Sequence, residues 1–462
     1  MICEGCFEKQ RKIDGLLEEN KILKAKIRYR ERSKQDGFFG SSTPSSKLPV
    51  KSNSLEENQN LRGGAKAGHA GHGRRGLEID RADRVIEVAP EVGKFCPDCG
   101  THLTNTGVEQ RSVMEIFPIK PEKRLYLLQK RYCPNCHRTF RPRPKGVLPK
   151  SLYGNQLITT AASMHYLHGV PMGRVCEQLG IEIGSLLDIF HRLTRIFEGV
   201  IHQIIEEYRQ SPVKHADETG WRNDGQGGYV WLFATKEISI FLYRKTRSAK
   251  VAQEVFGDKE LPGALVVDRY AGYNKVPCRI QYCYAHLLRN IEDIRKEFPD
   301  DVEVKGFVET VVPLLSMAMS LRSQPISDEV FYLRAEELKG QIIEVMNKPA
   351  KHLAIQNIQD IFHENADRLY LWAKDRSIPA DNNLAERDLR PTVIARKVSF
   401  GSQSDNGAHT RQVLTTIFHT LKKQTKDPVL VFKSVLDQLA FNANLNPYKL
   451  LFSNKASPVN TF

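Results

Sequence analysis

The feature that most constrains this chain is a change in hydrophobic periodicity at residue 211. Residues 155–210 carry apolar residues at helical spacing, whereas the stretch after 211 alternates or runs apolar in the manner of strands. A helix and a further strand then follow. Three strands, a helix and a fourth strand predict the opening of an α/β domain. In order, these segments read VKHADETGW, YVWLFAT, ISIFLYR, SAKVAQEVFG and ALVVDRY.

Two of these strands are predicted to end on an aspartate. Asp217 ends the short strand in HADETGW, and Asp268 ends the apolar run ALVVD. Carboxylates at the carboxyl ends of strands in an α/β sheet project into the crevice where ligands bind. Mg²⁺ takes such carboxylates, and paired metal ions stabilise the attacking and leaving oxygens of a phosphoryl displacement. The two residues therefore predict a metal site of nuclease type.

Glu386 is the predicted third acid of this site. It lies in PADNNLAERDLRP, where Asp381 is the expected helix N-cap and Glu386 falls one turn into the helix. Asp381 and Asp388 compete for the same role. The residues alone do not decide between the three.

Two Cys-Pro-x-Cys pairs predict a structural zinc site. Cys96/Cys99 and Cys133/Cys136 each present two thiolates from a tight turn, and two such turns complete a tetrahedral S₄ shell with no open position for catalysis. The alternative is four merely buried cysteines. A third pair, Cys3/Cys6, has no second pair nearby, which leaves free thiols or a zinc ion shared in a dimer.

The formal net charge of +14 indicates a polyanionic partner, because each cation on a phosphate releases condensed counterions. Between residues 120 and 150 there are ten Lys or Arg and one acid, Glu122. A solvated face shows the same composition, but the neighbouring zinc motif favours a nucleic-acid surface. The candidate DNA contacts are Lys123, Arg124, Lys130, Arg131, Arg138, Arg141, Arg143, Lys145, Arg390, Arg396 and Lys397.

The chain divides by composition into six regions. Residues 1–32 predict a coiled-coil helix, although a short amphipathic helix packing on its own chain has the same stripe. A basic Ser/Pro/Gly-rich linker covers 33–79 and the zinc-binding module 80–150. Residues 151–210 are helical, with a helix-turn-helix pattern around Gly180. The catalytic domain covers 211–400, with a helical insertion at about 295–375, and 401–462 are helical. The absence of an apolar stretch of about 20 residues and of a signal peptide predicts a cytoplasmic protein.

Nearly the whole sequence resembles the transposases of insertion-sequence family sixty-six (IS66-type). The matching motifs, in chain order, are the leading zipper-like helix, SSTPSS, the Gly-Gly-x-x-x-Gly-His linker, the cysteine module, HADETGW, VVDRYAGY, CYAHLLRN and NNLAERDLRP. The resemblance implies an Asp-Asp-Glu enzyme with a ribonuclease H-like core, in which Asp217, Asp268 and Glu386 hold Mg²⁺ or Mn²⁺. It further implies double-stranded DNA as substrate, a homo-oligomer in the bacterial cytoplasm at the nucleoid, and accessory proteins encoded by the same element as further partners.

Some features depart from that pattern or leave alternatives open. The linker GGAKAGHAGHGRR lacks the proline that such linkers more often show before the first histidine, and Cys3/Cys6 is unexpected. Cys283 and His286 have metal-ligand spacing but no second pair, so we interpret them as positional. Two other functions fit part of the sequence: a DNA-binding regulator without catalysis, and a nuclease that cuts but never joins.

Overall fold

The computed structural model describes residues 121–135, 137–140 and 142–452, with short pieces at 12–13, 15–17, 19–20, 80, 85, 94–95 and 97–102. The chain divides into two compact units, residues 50–120 and residues 1–49 with 121–462. In the first unit, Phe95 and His102 form a β-bridge. The described positions between 12 and 20 are helical and exposed, Ile13 and Leu16 included. The linker 33–79 and the Cys3/Cys6 pair lie outside the described residues.

A short hairpin and three helices precede the main sheet. Strands β1 (Arg131–Cys133) and β2 (Arg138–Phe140) pair antiparallel. Helix α1 (Asn155–Ala162) continues as a π-helical segment, Ser163–Leu167, and is followed by α2 (Met172–Leu179) and α3 (Ile183–Gln210). Gly180 ends α2 with a φ of 57°, the left-handed conformation that glycine adopts without strain. Two helices thus flank Gly180, where the sequence predicted them.

The main sheet has five strands in the order β5-β4-β3-β6-β7. Strands β3, β4 and β5 form an antiparallel meander, whereas β6 and β7 run parallel to β3. Helix α4 (Ala249–Phe256) connects the two halves. The predicted α/β class is therefore confirmed as a mixed sheet covered by helices. The strand bounds are β3 Val213–Asn223, β4 Gln226–Ala234, β5 Ser239–Arg244, β6 Ala264–Val267 and β7 Arg279–Tyr282.

Two strand predictions were wrong. The sequence predicted a short strand ending at Asp217, but β3 continues to Asn223 because its residues 215–223 pair with β4. The fifth strand, β7, was missed. Its four residues, RIQY, alternate polar and apolar positions, but four residues are too short a run to indicate a strand by themselves, and their pairing with β6 is what makes them one.

A run of helices follows β7, at the position of the predicted insertion. It comprises α5 (Tyr284–Glu297), α6 (Val302–Leu321), α7 (Asp328–Asn347), α8 (Leu353–Glu364) and the single turns α9 (Ala366–Leu369) and α10 (Leu371–Lys374). Among the described residues, α6 alone is long and apolar enough to cross a membrane. Its Val304, Val308, Val311 and Leu315 are buried in the same core as the sheet, so the helical run packs with the α/β core.

Four helices complete the described chain: α11 (Asn383–Ser399), α12 (Asp405–Gln424), α13 (Pro428–Phe441) and α14 (Pro447–Phe452). Helix α11 covers one face of the sheet, where Ala385 and Leu389 pack against Trp221 and Leu232. The opposite face packs on α3 and α4. The sheet is therefore the middle layer of three.

Helix α12 lies along β5 and bonds its outer edge through side chains. Thr416 Oγ1 accepts from Phe241 N–H at 2.9 Å, and Thr420 Oγ1 accepts from Ser239 N–H at 3.2 Å. Gln412 Oε1 accepts from Tyr243 N–H at 3.1 Å. Polar side chains four residues apart on a helix thus replace a neighbouring strand, which stops the edge from pairing with another chain.

Candidate active site

Asp217 and Asp268 lie on adjacent parallel strands in matching register. The last paired residues are His215 of β3 and Val266 of β6. Continuing this register by two residues brings the backbone of Asp217 opposite that of Asp268. Neighbouring strands are about 4.8 Å apart, so the two carboxylates start from adjacent positions. β3 continues past Asp217 as part of its hairpin with β4. Its parallel partner β6 ends at Val267, so Asp268 follows a strand end whereas Asp217 lies within a strand.

Burial and a nearby negative charge both disfavour the ionised form of the Asp268 carboxylate. Burial and the negative charge of Glu218 raise the pKa of Asp268 to about 7, against the opposing effects of the Tyr270 N–H, Arg247 and Arg269. The Tyr270 N–H donates to Asp268 Oδ1 at 3.0 Å. Arg247 Nη2 lies 4.0 Å from Asp268 Oδ2. The two arginines therefore do not fully offset the effects of burial and of Glu218 on this carboxylate.

Glu218 is a functional neighbour that the sequence analysis missed. It is buried, with 1% of its side chain exposed, and accepts hydrogen bonds from Arg247 Nε at 2.6 Å and from the Tyr273 hydroxyl at 2.5 Å. Arg247 also stacks over the Tyr270 ring. These contacts connect β3 to the loop after Asp268. In the sequence, the position of Glu218 directly after Asp217 is the one feature that could have indicated its place near the site.

Glu386 lies in the first turn of α11, whose N-terminus is bonded to β3, the strand that carries Asp217. Asn382 is the N-cap residue and is buried. Its Nδ2 donates to Ala216 O at 2.8 Å, and its Oδ1 lies 2.9 Å from His215 Nδ1. These bonds fix the start of α11 next to Asp217. The predicted N-cap, Asp381, precedes it and accepts from Asn383 N–H at 2.9 Å.

Cys283 connects the same helix start to Asp268. The Cys283 N–H donates to Val267 O at 2.8 Å, one residue before Asp268, and the Cys283 sulfur accepts from Asn382 N–H at 3.1 Å. Burial raises the pKa of the Cys283 thiol to about 12, so it remains protonated. The positional interpretation of the CYAH motif agrees with these contacts.

Glu386 is held by Arg289 of α5, and His286 of the same helix lies nearby. Arg289 Nη2 lies 3.0 Å from Glu386 Oε1 and 3.2 Å from Oε2. His286 Nε2 is 3.9 Å from Oε1. Burial and the positive charges of Arg289 and Arg269 lower the pKa of His286 to about 3, which keeps the imidazole neutral. The sequence predicted none of these pairings.

The competing acid Asp388 has a structural partner. It forms an ion pair with Lys423, and it accepts from Ser239 Oγ at 2.8 Å. Both partners belong to the β5 and α12 side of the core. The contacts of Glu386, in contrast, are to α5, the helix whose start at Cys283 is bonded to Val267, one residue before Asp268. The geometry favours Glu386 over Asp388 as the third acid.

The donor chemistry of this site fits a hard divalent cation. Carboxylate oxygens are the ligands that Mg²⁺ and Mn²⁺ prefer, and a cation would supply the positive charge that Asp268 lacks. In the part of the chain that the structure describes, no group of three His, Cys, Asp or Glu side chains is close enough to hold a metal ion. Glu386 is bound to Arg289 instead.

Basic residues predicted to contact DNA fall into two described sets. On α11, Arg390 and Lys397 are exposed, as is Arg387 one turn earlier on the same face. Arg396 differs, because its Nη1 donates to Thr219 Oγ1 at 2.8 Å and to Gly220 O at 2.6 Å and so connects α11 to β3. The second set, all exposed, comprises Lys123, Arg124, Lys130, Arg131, Arg143 and Lys145.

The predicted zinc ligands fall mainly outside the described structure. Cys96 and Cys136 are not described, and neither is the side chain of Cys133; Arg141 and the side chain of Arg138 fall in the same category. Cys99 is exposed, and its sulfur lies 3.4 Å from Thr101 Oγ1. The zinc site stays a prediction.

Comparison with known proteins gives one family. Residues 150–410 match the model of the Transposase IS66 family, a stretch that includes all three acids. Three Sinorhizobium fredii proteins (strain NBRC 101917 / NGR234), each named only as uncharacterized, are similar over most of their length. Protein y4jD is 21% identical over 78% of this chain and 77% of its own, and y4qI is 21% identical over 84% and 78%. Protein y4hP is 22% identical over 81% and 75%.

Proposed function

The chain belongs to the IS66 family of transposases, and we propose that it is a Mg²⁺- or Mn²⁺-dependent Asp-Asp-Glu enzyme that cuts the ends of an insertion element and joins them to target DNA. One observation carries the proposal. Asp217 lies in β3 and Asp268 directly follows the parallel strand β6 in matching register, and Asn382 ties the helix of Glu386 to β3 directly and to β6 through Cys283. The strand order, three antiparallel strands beside two parallel ones, supports a ribonuclease H-like core.

In the proposed mechanism the protein positions a phosphodiester against its carboxylates. Asp217, Asp268 and Glu386 would hold divalent ions, which would supply charge stabilisation for the attacking and leaving oxygens of an in-line displacement. Asp217 and Asp268 supply adjacent negative charges from a rigid sheet. Asn382 and Cys283 hold the helix of Glu386 against that sheet, so the third carboxylate keeps its place relative to the other two.

Basic side chains would bind the DNA backbone. On α11, Arg387, Arg390 and Lys397 extend from the turn that carries Glu386, and such an exposed basic face suits phosphates leading away from the cut. The exposed basic residues between 123 and 145 would form a second contact. The module with the four predicted zinc ligands and the helix pair around Gly180 would recognise the element ends. The coiled coil at 1–32 would pair protomers, and the protein would act in the cytoplasm.

Metal-dependent cleavage of DNA from the flanks of the encoding gene tests this function. The variants Asp217→Asn, Asp268→Asn and Glu386→Gln should lose cleavage and strand transfer while binding the same duplex as the wild type. Asp293→Asn, an exposed acid on α5, is the matched control and should cleave normally. Asp381→Asn, assayed in parallel, decides between the two remaining candidates for the third acid.

Each outcome selects one function. Normal cleavage by Asp217→Asn refutes the acidic site. Binding of end DNA by the wild type without any metal-dependent nicking identifies a regulator. Nicking without labelled ends becoming covalently attached to target DNA identifies a nuclease that does not join.

A further inference from the structure

The Arg289–Glu386 ion pair engages only one of the two terminal guanidinium nitrogens of Arg289. A single nitrogen, Nη2, contacts both carboxylate oxygens, whereas an arginine that matches a carboxylate fork to fork uses two. The second nitrogen, Nη1, is buried and has no hydrogen-bond partner. Arg289 therefore keeps unused donor capacity in this arrangement.

A second polar atom in the same place is also unsatisfied. His286, one turn before Arg289 on α5, has its Nδ1 buried without a hydrogen-bond partner, while its Nε2 faces Glu386. A buried donor or acceptor left without a partner costs about 1–3 kcal/mol. Two such atoms around one carboxylate indicate that this pairing is not the best-satisfied state of these side chains.

Two arginine side chains lie near this carboxylate. The positive charges of both Arg289 and Arg269 act on His286, and Arg269 directly follows Asp268 in the chain. Glu386 is the acid that Arg289 contacts. About a third of the Arg289 side chain is exposed, whereas its Nη1 is buried, so the guanidinium has to turn away from Glu386 before both nitrogens can meet a ligand. A phosphate offers several acceptor oxygens and matches the planar guanidinium.

We propose that Arg289 is a DNA phosphate-binding residue that occupies Glu386 in the DNA-free protein and exchanges this carboxylate for a backbone phosphate when DNA binds. The exchange satisfies both guanidinium nitrogens and releases both oxygens of Glu386 beside the two aspartates. DNA binding thereby completes the acidic site. This inference rests on the proposed function, because it assigns Glu386 a metal ion to hold after its release.

The test measures Mn²⁺ affinity and the salt dependence of DNA binding in the full-length protein. Wild-type protein should bind Mn²⁺ more tightly once a short end duplex is added. Arg289→Gln should bind Mn²⁺ at least about tenfold more tightly than wild type without DNA, since losing a charged hydrogen bond of about 1.5–3 kcal/mol frees the carboxylate. Its salt slope for duplex binding should fall by about 0.9, the contribution of one phosphate contact.

Two further variants separate charge from geometry. Arg295→Gln removes a positive charge from the same helix, where Arg295 pairs with Glu292, and should change neither the Mn²⁺ affinity nor the salt slope. Arg289→Lys keeps the charge and should retain the salt slope of the wild type. If Arg289→Gln destabilises the protein, Arg289→Lys serves as the variant that still folds and can be compared with the wild type.

A permanent structural ion pair predicts different results. In that case Arg289→Gln lowers thermal stability and leaves the DNA-free Mn²⁺ affinity and the salt slope at wild-type values, which overturns the inference. Failure of the proposed function is distinguishable. Wild type and Glu386→Gln would then bind Mn²⁺ equally poorly with and without DNA, even if Arg289→Gln still reduced the salt slope.

Discussion

Thr416 offers the sharpest test of how this sheet ends. Its hydroxyl accepts from the buried Phe241 N–H at 2.9 Å, in place of the carbonyl that a neighbouring strand would supply. Thr416 itself is fully buried. Thr416→Val keeps the shape of the side chain and replaces the hydroxyl with a methyl group, so the substitution leaves the Phe241 N–H without an acceptor and also removes the hydroxyl's long 3.5 Å bond to Phe241 O.

The expected cost follows from that one donor. A buried amide that loses its partner destabilises the folded state by about 1–3 kcal/mol, and the near-isosteric valine opens almost no cavity. Thr416→Ser is the matched control, because it keeps the hydroxyl and removes one methyl group, worth about 0.8 kcal/mol. We therefore expect the more hydrophobic valine variant to be the less stable of the two.

Urea denaturation followed by tryptophan fluorescence measures this difference. Trp221, Trp231 and Trp372 are all buried, so their emission reports loss of the core that includes the sheet. A Thr416→Val protein as stable as wild type, or more stable than Thr416→Ser, would refute the view that α12 replaces a strand. Thr420→Val should act in the same direction, because Thr420 bonds Ser239 in the same way.

Three other substitutions have defined outcomes. Asn382→Ala should slow cleavage with little change in duplex affinity, because Glu386 loses its fixed position; equal cleavage rates would contradict this. Burial lowers the pKa of His419 to about 4, so its stabilising effect is present above pH 6.5 and lost towards pH 4. Between pH 8 and pH 5 the free energy of unfolding should fall by about 2 kcal/mol from this group, and His419→Gln should reduce this dependence of the unfolding free energy on pH in urea titrations. Gly263→Ala should cost more than about 1 kcal/mol in the same assay, since a Cβ at φ +77° would lie 2.0 Å from Pro212 O; an unchanged midpoint would contradict the clash.

The strand pattern predicted the α/β class but not the exact strands. Apolar runs such as ALVVD stand out because a strand buried on both faces needs them. Pairing with β4 extends β3 well beyond the predicted end, and pairing with β6 makes a strand of RIQY. Helix α11 likewise continues through Pro391, which by local rules would end or kink it, because packing against the sheet holds it in place.

The sequence by itself determined which residue types are available: one aspartate within a core strand and one directly after another, a glutamate early in a later helix, and a basic surface. Periodicity and strand ends carry that information locally. Only the tertiary structure decided how the acidic candidates differ. Asp268 is crowded by Glu218, Asp388 is taken by Lys423, and Glu386 is held by Arg289. Asn382 reaches Ala216 across 166 positions of sequence, and no local pattern encodes a contact between residues so far apart.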